Sequence, residues 1–289
     1  MELFLQILVQ SITHGSIYAL IGVGLVLIFR ATDLINFAQG QLVMIGAYIS
    51  ITLSVSVGLP VVLSFILTLL IVAVIGAAIE YSVCRRLMRA PIMNTIIATF
   101  ALGVILQNAV ILIYGPEVYS MPSYLPSHPI ALGGVIVSVQ SMFIVGVTII
   151  VMISLFLFLG RTKQGRAMQG AAENRVAAAL MGISVKRVFA RSWMLSGFLS
   201  ALAGQLLAPV LLVEPNMGII AIKSFSAAII GGFGLPATVV GGYLVSLLEN
   251  LVGVYLTVAL KDAAAFLVIV LVLLAKPEGL FTRQIRRRV

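Results

Sequence analysis

Long apolar runs separated by short polar connections make up most of this sequence. A bilayer-spanning helix needs roughly 20 apolar residues, and most of these runs reach that length. They lie at about 3–29, 34–57, 60–84, 91–114, 135–159, 188–213 and 262–275. Because backbone groups in hydrocarbon must hydrogen-bond within their own segment, the runs predict transmembrane α-helices.

The stretch from 215 to 260 does not fit a single span. It is too long for one helix and short for two with a loop, and GGFGLP interrupts it at 231–236. Hydrophobic segments broken by Gly and Pro often lie at transport sites, although a tight turn between two short spans explains the pattern equally well. The pattern therefore predicts one all-α polytopic membrane domain over 1–289, with about eight or nine transmembrane helices and short broken helices at about 217–260.

Composition and charge also place most of the chain in lipid. It is 61% hydrophobic and 9% charged, whereas soluble domains carry about 25% charged residues. The net charge of +9 does not indicate a nucleic-acid partner, because Lys and Arg gather in alternate connections, as the positive-inside rule describes. All but Lys223 and Lys261 fall on one side. We expect that side to be cytoplasmic, with the N-terminus outside and the C-terminus inside.

The sequence has no set of residues typical of an enzyme. It has no HExxH motif, and its two histidines, His14 and His128, are far apart. The segment 160–167 has the glycine spacing of a P-loop, but Arg166 and Ala167 replace the Lys and Ser/Thr that hold phosphate and Mg²⁺. We therefore expect no catalysis, no metal and no cofactor on this chain.

A few polar residues within the apolar runs are candidates for contact with a transported solute. Glu249 is expensive to bury and suggests a function such as proton coupling, but a structural hydrogen bond explains it as well. The amides Asn36, Gln39 and Gln41, with Ser226, are suited to solvate a neutral or zwitterionic solute. Each of them alone is also explained as hydrogen bonding between helices.

A basic insert at about 160–187 interrupts the apolar pattern. Residues 167–181 are rich in good helix formers, and Gly182 follows where a C-capping glycine belongs. The insert therefore predicts a short helix at the membrane surface. Such a helix can lie on anionic lipid, but its Ala-rich face has no aromatic anchor and is better suited to a protein cleft.

Three segments resemble one family of membrane permeases. They are LINFAQGQLVMIGAY at 34–48, GRAMQGAAENRVAAALMGISVKRV at 165–188, and KSFSAAIIGGFGLPATVVGG at 223–242 with KPEGLF at 276–281. In this order they resemble the LivH-type permeases of ATP-binding-cassette (ABC) importers for branched-chain amino acids. The family's usual histidine before the glycine of the first segment is Gln39 here.

The resemblance implies a type II-like importer in a bacterial inner membrane. Such a permease pairs with a second, homologous permease above two cytoplasmic subunits that bind ATP and Mg²⁺, and a periplasmic protein delivers the solute. A short cytoplasmic coupling helix of the permease sits in a groove of each ATPase. The coupling residues implied in this chain are Ala171, Ala172, Glu173, Arg175, Ala178 and Gly182.

The expected function is import of branched-chain or related amino acids by alternating access. The solute would pass between this chain and its partner permease, along the second span and the 224–250 region. Relatives with similar signatures carry urea or short amides, so the resemblance also admits those solutes. The residues themselves also admit a secondary transporter that couples a proton through Glu249, and a membrane scaffold or lipid-modifying enzyme.

Overall fold

The computed structural model of the chain describes residues 2–87, 90–123, 130–132, 135–276 and 279–281, most of which are helical. The helices are α1 (Glu2–Thr32), α2 (Gln39–Ile51), α3 (Val61–Ile79), α4 (Arg85–Leu87), α5 (Ile92–Tyr114), α6 (Val139–Arg161), α7 (Lys163–Glu173), α8 (Arg175–Leu180), α9 (Val185–Leu207), α10 (Ile220–Ile230), α11 (Leu235–Tyr255) and α12 (Leu260–Ala275). Two π-helical turns extend α2 over Thr52–Ser56 and α3 over Glu80–Cys84, and a 3₁₀ turn at Met217–Ile219 leads into α10. Strands β1 (Ile130–Leu132) and β2 (Val135–Val137) pair antiparallel.

These bounds confirm the predicted all-α membrane fold. Five helices of the described part are long and apolar enough to cross a membrane, namely α1, α3 with its extension through α4, α5, α6 and α11. The 13-residue α2 with its π turn, the 23-residue α9 and the 16-residue α12 occupy three further predicted runs. The predicted break at 231–236 is a turn between the short α10 and α11, in which Gly232 and Phe233 have positive φ.

The first helix forms the centre of the bundle. All residues from 15 to 28 of α1 are buried, and the helix packs against α6, α9, α10 and α11. A helix that is apolar on every side belongs inside a larger assembly of helices. The other long helices therefore surround α1 and carry the exposed apolar surface that faces lipid.

Helix α9 packs between α2 and α3 through small residues. A Cβ atom added at Gly204 would lie 2.1 Å from the backbone oxygen of Val43 in α2, and one added at Gly76 would lie 2.5 Å from the backbone oxygen of Trp193 in α9. In lipid, helices associate largely through close packing of this kind, because lipid tails are as apolar as the side chains they touch. These glycines therefore set the spacing of the three helices.

The connections lie at two ends of the bundle that differ in charge. The basic end carries the insert 160–187. At the opposite end, called the sparse end here, Tyr119 and Val213 form a β-bridge, and Gln6 at the start of α1 exchanges two hydrogen bonds with the backbone of Ile136. The residues at 89, 128, 283 and 286–288, which include His128 and part of the predicted basic side, lie outside the described residues.

We expect Gly204→Ala to destabilise the bundle by about 1–3 kcal/mol, because the new methyl group overlaps the backbone of α2. Gly146→Ala is the matched control, since a Cβ at that position of α6 meets nothing within 4 Å. Thermal unfolding of the detergent-solubilised protein measures both. Equal midpoints for the two variants would contradict the close approach of α2 and α9.

Candidate functional site

The basic insert folds as two short helices rather than one. Thr162 caps α7, because its hydroxyl accepts a hydrogen bond from Gly165 N at 2.9 Å. Asn174 is extended (φ −153°, ψ 105°) and caps α8 by accepting from Ala177 N at 2.9 Å. The single helix predicted over 167–181 is therefore wrong at Asn174, where the short polar side chain competes with the helical backbone.

Gly182 ends α8 as the sequence predicts. Its φ is +81°, and Ile183 N donates to Ala178 O at 3.0 Å across the turn. This is the hydrogen-bond pattern of a glycine C-cap, in which a left-handed residue closes the last turn. The cap turns the chain sharply from α8 into α9.

Arg175 attaches α8 to the end of the central helix. Its Nε donates to Ala31 O at 3.1 Å, and its terminal nitrogen pairs with an oxygen of Asp33 at 2.5 Å. The guanidinium also lies over the ring of Phe189 in α9, 5.4 Å from the ring centroid. Arg175 therefore holds the insert against its own chain instead of reaching outward as a rim contact.

Burial separates the predicted coupling residues into two groups. Ala171 and Ala178 are buried against the chain's own core, so neither presents a surface to another protein. Ala172 and Arg175 are half-buried, and Glu173 and Gly182 are exposed. The structure thus corrects the expectation for Ala171 and Ala178, whereas Ala177 and Ala179 of the Ala-rich face are exposed.

The exposed apolar surface of the insert is formed by residues that the sequence reasoning missed. Val176, Leu180 and Met181 are 72%, 84% and 83% exposed. The signal was present in the sequence, because Val176 and Leu180 are four positions apart and therefore share one face of a helix, and Met181 follows directly at the end of that helix. Ala177 and Ala179, which lie between Val176 and Leu180 in the sequence, are exposed as well.

A first cavity, called the amide cavity here, brings together three of the predicted solute-contacting residues. It measures about 390 Å³ and is lined by Asn36, Gln39 and Gln41 with apolar residues of α5 and α10. The side chains of Phe37, Phe100 and Phe225 also line it. The cavity is therefore mostly apolar, with a few amides on one wall.

Gln39 is a junction between helices. Its Oε1 accepts from Asn36 Nδ2 at 3.1 Å and from Ser196 Oγ at 2.9 Å, and its Nε2 donates to Ser200 Oγ at 2.7 Å. All four of these side chains are buried. Gln39 therefore joins the start of α2 to the small-residue face of α9, and its amide oxygen is already occupied.

Among the residues that the structure describes, Gln41 offers an unpaired polar atom, its Oε1, at the amide cavity. Its Oε1 is buried and has no hydrogen-bond partner in the part of the chain that the structure describes. Buried polar atoms in proteins are nearly always paired, so an unpaired one next to a cavity is a candidate contact. Ser226, in contrast, is buried in α10, donates to Ile222 O of its own helix at 3.3 Å and does not line this cavity.

Glu249 lies in a second cavity, called the ion-pair cavity here, and is fully engaged. It forms an ion pair with Lys223 of α10, and Tyr18 of α1 donates to its Oε2 at 2.6 Å. Lys223 also pairs with Asp262 of α12 at 2.7 Å. Sequence reasoning missed Lys223 and Tyr18 because they lie on separate helices and no spacing relates them to Glu249.

These features together define a class of protein. A bundle of membrane-length helices, with cavities that carry a few polar groups and a short anchored helix pair at one end, is typical of a multi-pass membrane permease. The described residues contain no cluster of His, Cys, Asp or Glu that would hold a metal ion.

The chain belongs to the family described as the permease component of the branched-chain amino acid transport system, whose sequence profile matches residues 7–274. The family expected from the three sequence segments is thereby confirmed. The description makes the chain a component of a transport system, and the family is one of transport proteins rather than enzymes.

Known relatives agree with this assignment over nearly the whole chain. The chain is 31% identical over 297 residues to the high-affinity branched-chain amino acid transport system permease protein LivH of Escherichia coli strain K12, covering 97% of this chain and 96% of LivH. It is 33% identical over 295 residues to the corresponding protein BraD of Pseudomonas aeruginosa, with the same coverage. A probable LivH of Methanocaldococcus jannaschii is 28% identical and covers 88% of this chain.

The solved structure of PsaBC from Streptococcus pneumoniae in complex with Fab aligns with a TM-score of 0.48 at 16% identity, over 93% of this chain and 89% of that chain.

We expect Gln39→Leu to destabilise the protein by about 1–3 kcal/mol, because it leaves the buried polar groups of Asn36, Ser196 and Ser200 without partners. Gln164→Leu makes the same change at an exposed position of α7 and serves as the control. Thermal unfolding in detergent measures both variants. If Gln39→Leu unfolds at the same temperature as the control, the junction does not stabilise the bundle.

Proposed function

We propose that this chain is a membrane-spanning subunit of an ATP-driven importer of branched-chain amino acids. The observation that carries the proposal is the family match, which extends from residue 7 to residue 274. Two permease subunits would form the pathway, and two cytoplasmic subunits would bind and hydrolyse ATP with Mg²⁺. A periplasmic protein would deliver the solute, and this chain itself would perform no catalysis and bind no cofactor.

The basic end is where we place the ATPase subunits, which makes it the cytoplasmic face of a bacterial inner membrane. The exposed Val176, Leu180 and Met181 form a compact apolar patch on α8 that suits a groove in a partner protein. Arg175 ties this patch to the end of α1, the central helix. A push on α8 would then reach the core of the bundle without passing through a flexible loop. The N-terminus of α1 would lie outside and the C-terminus inside.

The amide cavity is our candidate for part of the solute pathway. Its aromatic and aliphatic lining suits a branched aliphatic side chain better than it suits urea or a short amide, which offer little apolar surface. Gln41 supplies a free carbonyl oxygen for a polar group of the solute. Alternating access would close this cavity from one side while it opens to the other.

The contacts of Glu249 favour a structural role over proton coupling. A coupling carboxylate must exchange its partners during transport, whereas Glu249 is held by Lys223 and by Tyr18 from two different helices. Its burial therefore has an explanation that involves no proton flow.

Reconstitution tests the proposed function. Proteoliposomes that contain this permease, its partner permease and both ATPase subunits should accumulate labelled leucine when ATP and the periplasmic protein are supplied. Vesicles with the lone chain and an imposed proton gradient should accumulate none. Leucine uptake by the lone chain that Glu249→Gln abolishes would support the secondary transporter and contradict the importer.

Leu180→Asp should reduce ATP-driven leucine uptake by at least about tenfold, because it places a charge in the apolar patch that meets the ATPase. The control is Gln164→Asp, which adds the same charge at an exposed position of α7. Co-elution of the ATPase subunits with the permease shows whether docking is lost. Normal co-elution and uptake with Leu180→Asp would rule out α8 as the docking helix.

A further inference from the structure

The ion-pair cavity is larger than the amide cavity and opens toward the sparse end of the bundle. It measures about 640 Å³, within the range of roughly 300–1,000 Å³ that is typical of small-molecule sites. Its walls come from α1, the end of α9, the connection 208–216, the 3₁₀ turn before α10, and α10, α11 and α12. Charged side chains and aliphatic side chains both line it, which is an unusual combination for a surface that only packs against lipid.

The charges on one wall of this cavity are occupied in holding helices together. Lys223 pairs with both Glu249 and Asp262, and Tyr18 donates to Glu249. These four residues lie on α10, α11, α12 and α1, so the cluster ties four helices to one another. Because each charge already has a partner, this wall offers a ligand little without breaking the bundle.

Two further charged residues of opposite sign line the same cavity and take no part in the ion pairs of this cluster. Glu214 precedes α10, and Lys261 is in the first turn of α12. In the part of the chain that the structure describes, neither residue has an ion-pair partner. A carboxylate and an ammonium group on one cavity form a complementary pair for a ligand that carries both charges itself.

The remaining lining suits an aliphatic group. Ile17, Leu207, Met217 and Ile220 contribute apolar side chains between the charged residues. Pockets that bind small molecules usually combine such an apolar lining with a few polar groups that fix the orientation of the ligand. The cavity thus has the elements to hold a small zwitterion with a hydrocarbon side chain.

We propose that the ion-pair cavity is an entry site that binds a zwitterionic aliphatic amino acid before it reaches the amide cavity. The α-carboxylate of the amino acid lies toward Lys261, its α-ammonium toward Glu214, and its side chain against the apolar lining. The identity of the ligand rests on the proposed function. Ile219 lines both cavities, so the short α10 and the 3₁₀ turn before it form the partition that the solute must pass.

Saturation-transfer NMR on the assembled importer in nanodiscs tests this site, with neither ATP nor the periplasmic protein present. The probes are L-leucine, 4-methylpentanoate, which lacks the ammonium group, and 3-methylbutylamine, which lacks the carboxylate. Leucine should bind at least about tenfold more tightly than either analogue, because each analogue loses one charge-assisted contact. Equal binding of all three compounds would overturn the proposal.

Variants that remove single charges show whether leucine binds in the ion-pair cavity. Lys261→Gln and Glu214→Gln should each weaken leucine binding about tenfold, and Lys261→Arg should retain it. Glu117→Gln and Lys186→Gln remove the same charges at exposed positions outside the cavity and should leave binding unchanged. Leucine binding that is unaffected by Lys261→Gln and Glu214→Gln would overturn the proposal. If these variants instead lose a co-purified phospholipid while leucine binding is unchanged, the cavity binds lipid and the proposal is likewise overturned.

Uptake by the unaltered importer separates this proposal from the proposed function. If ATP-driven leucine uptake is normal while the two cavity variants bind and transport like the unaltered protein, only the entry site is wrong. If the unaltered importer takes up no leucine, the proposed function itself fails. Normal uptake at saturating leucine with a raised half-saturation concentration in Lys261→Gln would support the entry site.

Discussion

Close backbone approach between helices is the constraint on which the rest of this structure depends. In lipid, an aliphatic side chain gains little by leaving its surroundings for another helix, so packing and hydrogen bonds must hold the bundle together. Gly204 brings α9 to the backbone of α2, and Gly76 brings α3 to the backbone of α9. A side chain at either position would separate the helices by more than neighbouring residues can adjust. The central α1 is buried over its whole middle only because its neighbours are held this close.

Polar contacts between side chains then determine the relative positions of helices that close packing alone does not fix. The junction at Gln39 joins α2 to α9 beside the amide cavity, and the Lys223 cluster joins α10 to α1, α11 and α12 beside the ion-pair cavity. The Gln39 set is buried, and so are Glu249 and Tyr18 of the Lys223 cluster, whereas Asp262 is exposed. An unpaired polar group is costly at the buried positions, so these contacts specify one arrangement of their helices. The short α10 lies between the two cavities and has one polar anchor, Lys223, on the ion-pair side. Its other face, which includes Phe225, has apolar contacts with the amide cavity.

Much of the fold was predictable from the sequence because apolar length determines where a chain crosses lipid. The runs at 3–29 and 91–114 correspond to α1 and α5 within a few residues. Contacts between distant helices were not predictable. The pairing of Glu249 with Lys223 depends on how α10 and α11 are placed relative to each other. In the sequence, Lys223 is only one of two basic residues that fall outside the predicted cytoplasmic side. The inward orientation of Ala178 likewise depends on the break at Asn174, which helix propensity alone does not reveal.

The central helix connects the two ends of the molecule. α1 has 31 residues and is therefore about 46 Å long at 1.5 Å per residue. At the basic end, Ala31 accepts a hydrogen bond from Arg175 of the insert, and at the middle of α1 Tyr18 donates a hydrogen bond to Glu249 in the ion-pair cavity. Between these points α1 is a continuous, closely packed helix with no proline to kink it. A displacement of α8 relative to the bundle must then either break the contacts of Arg175 or move α1 as a rigid body. The second outcome would change the position of Tyr18 against α11, so a movement of the insert would reach one wall of the ion-pair cavity.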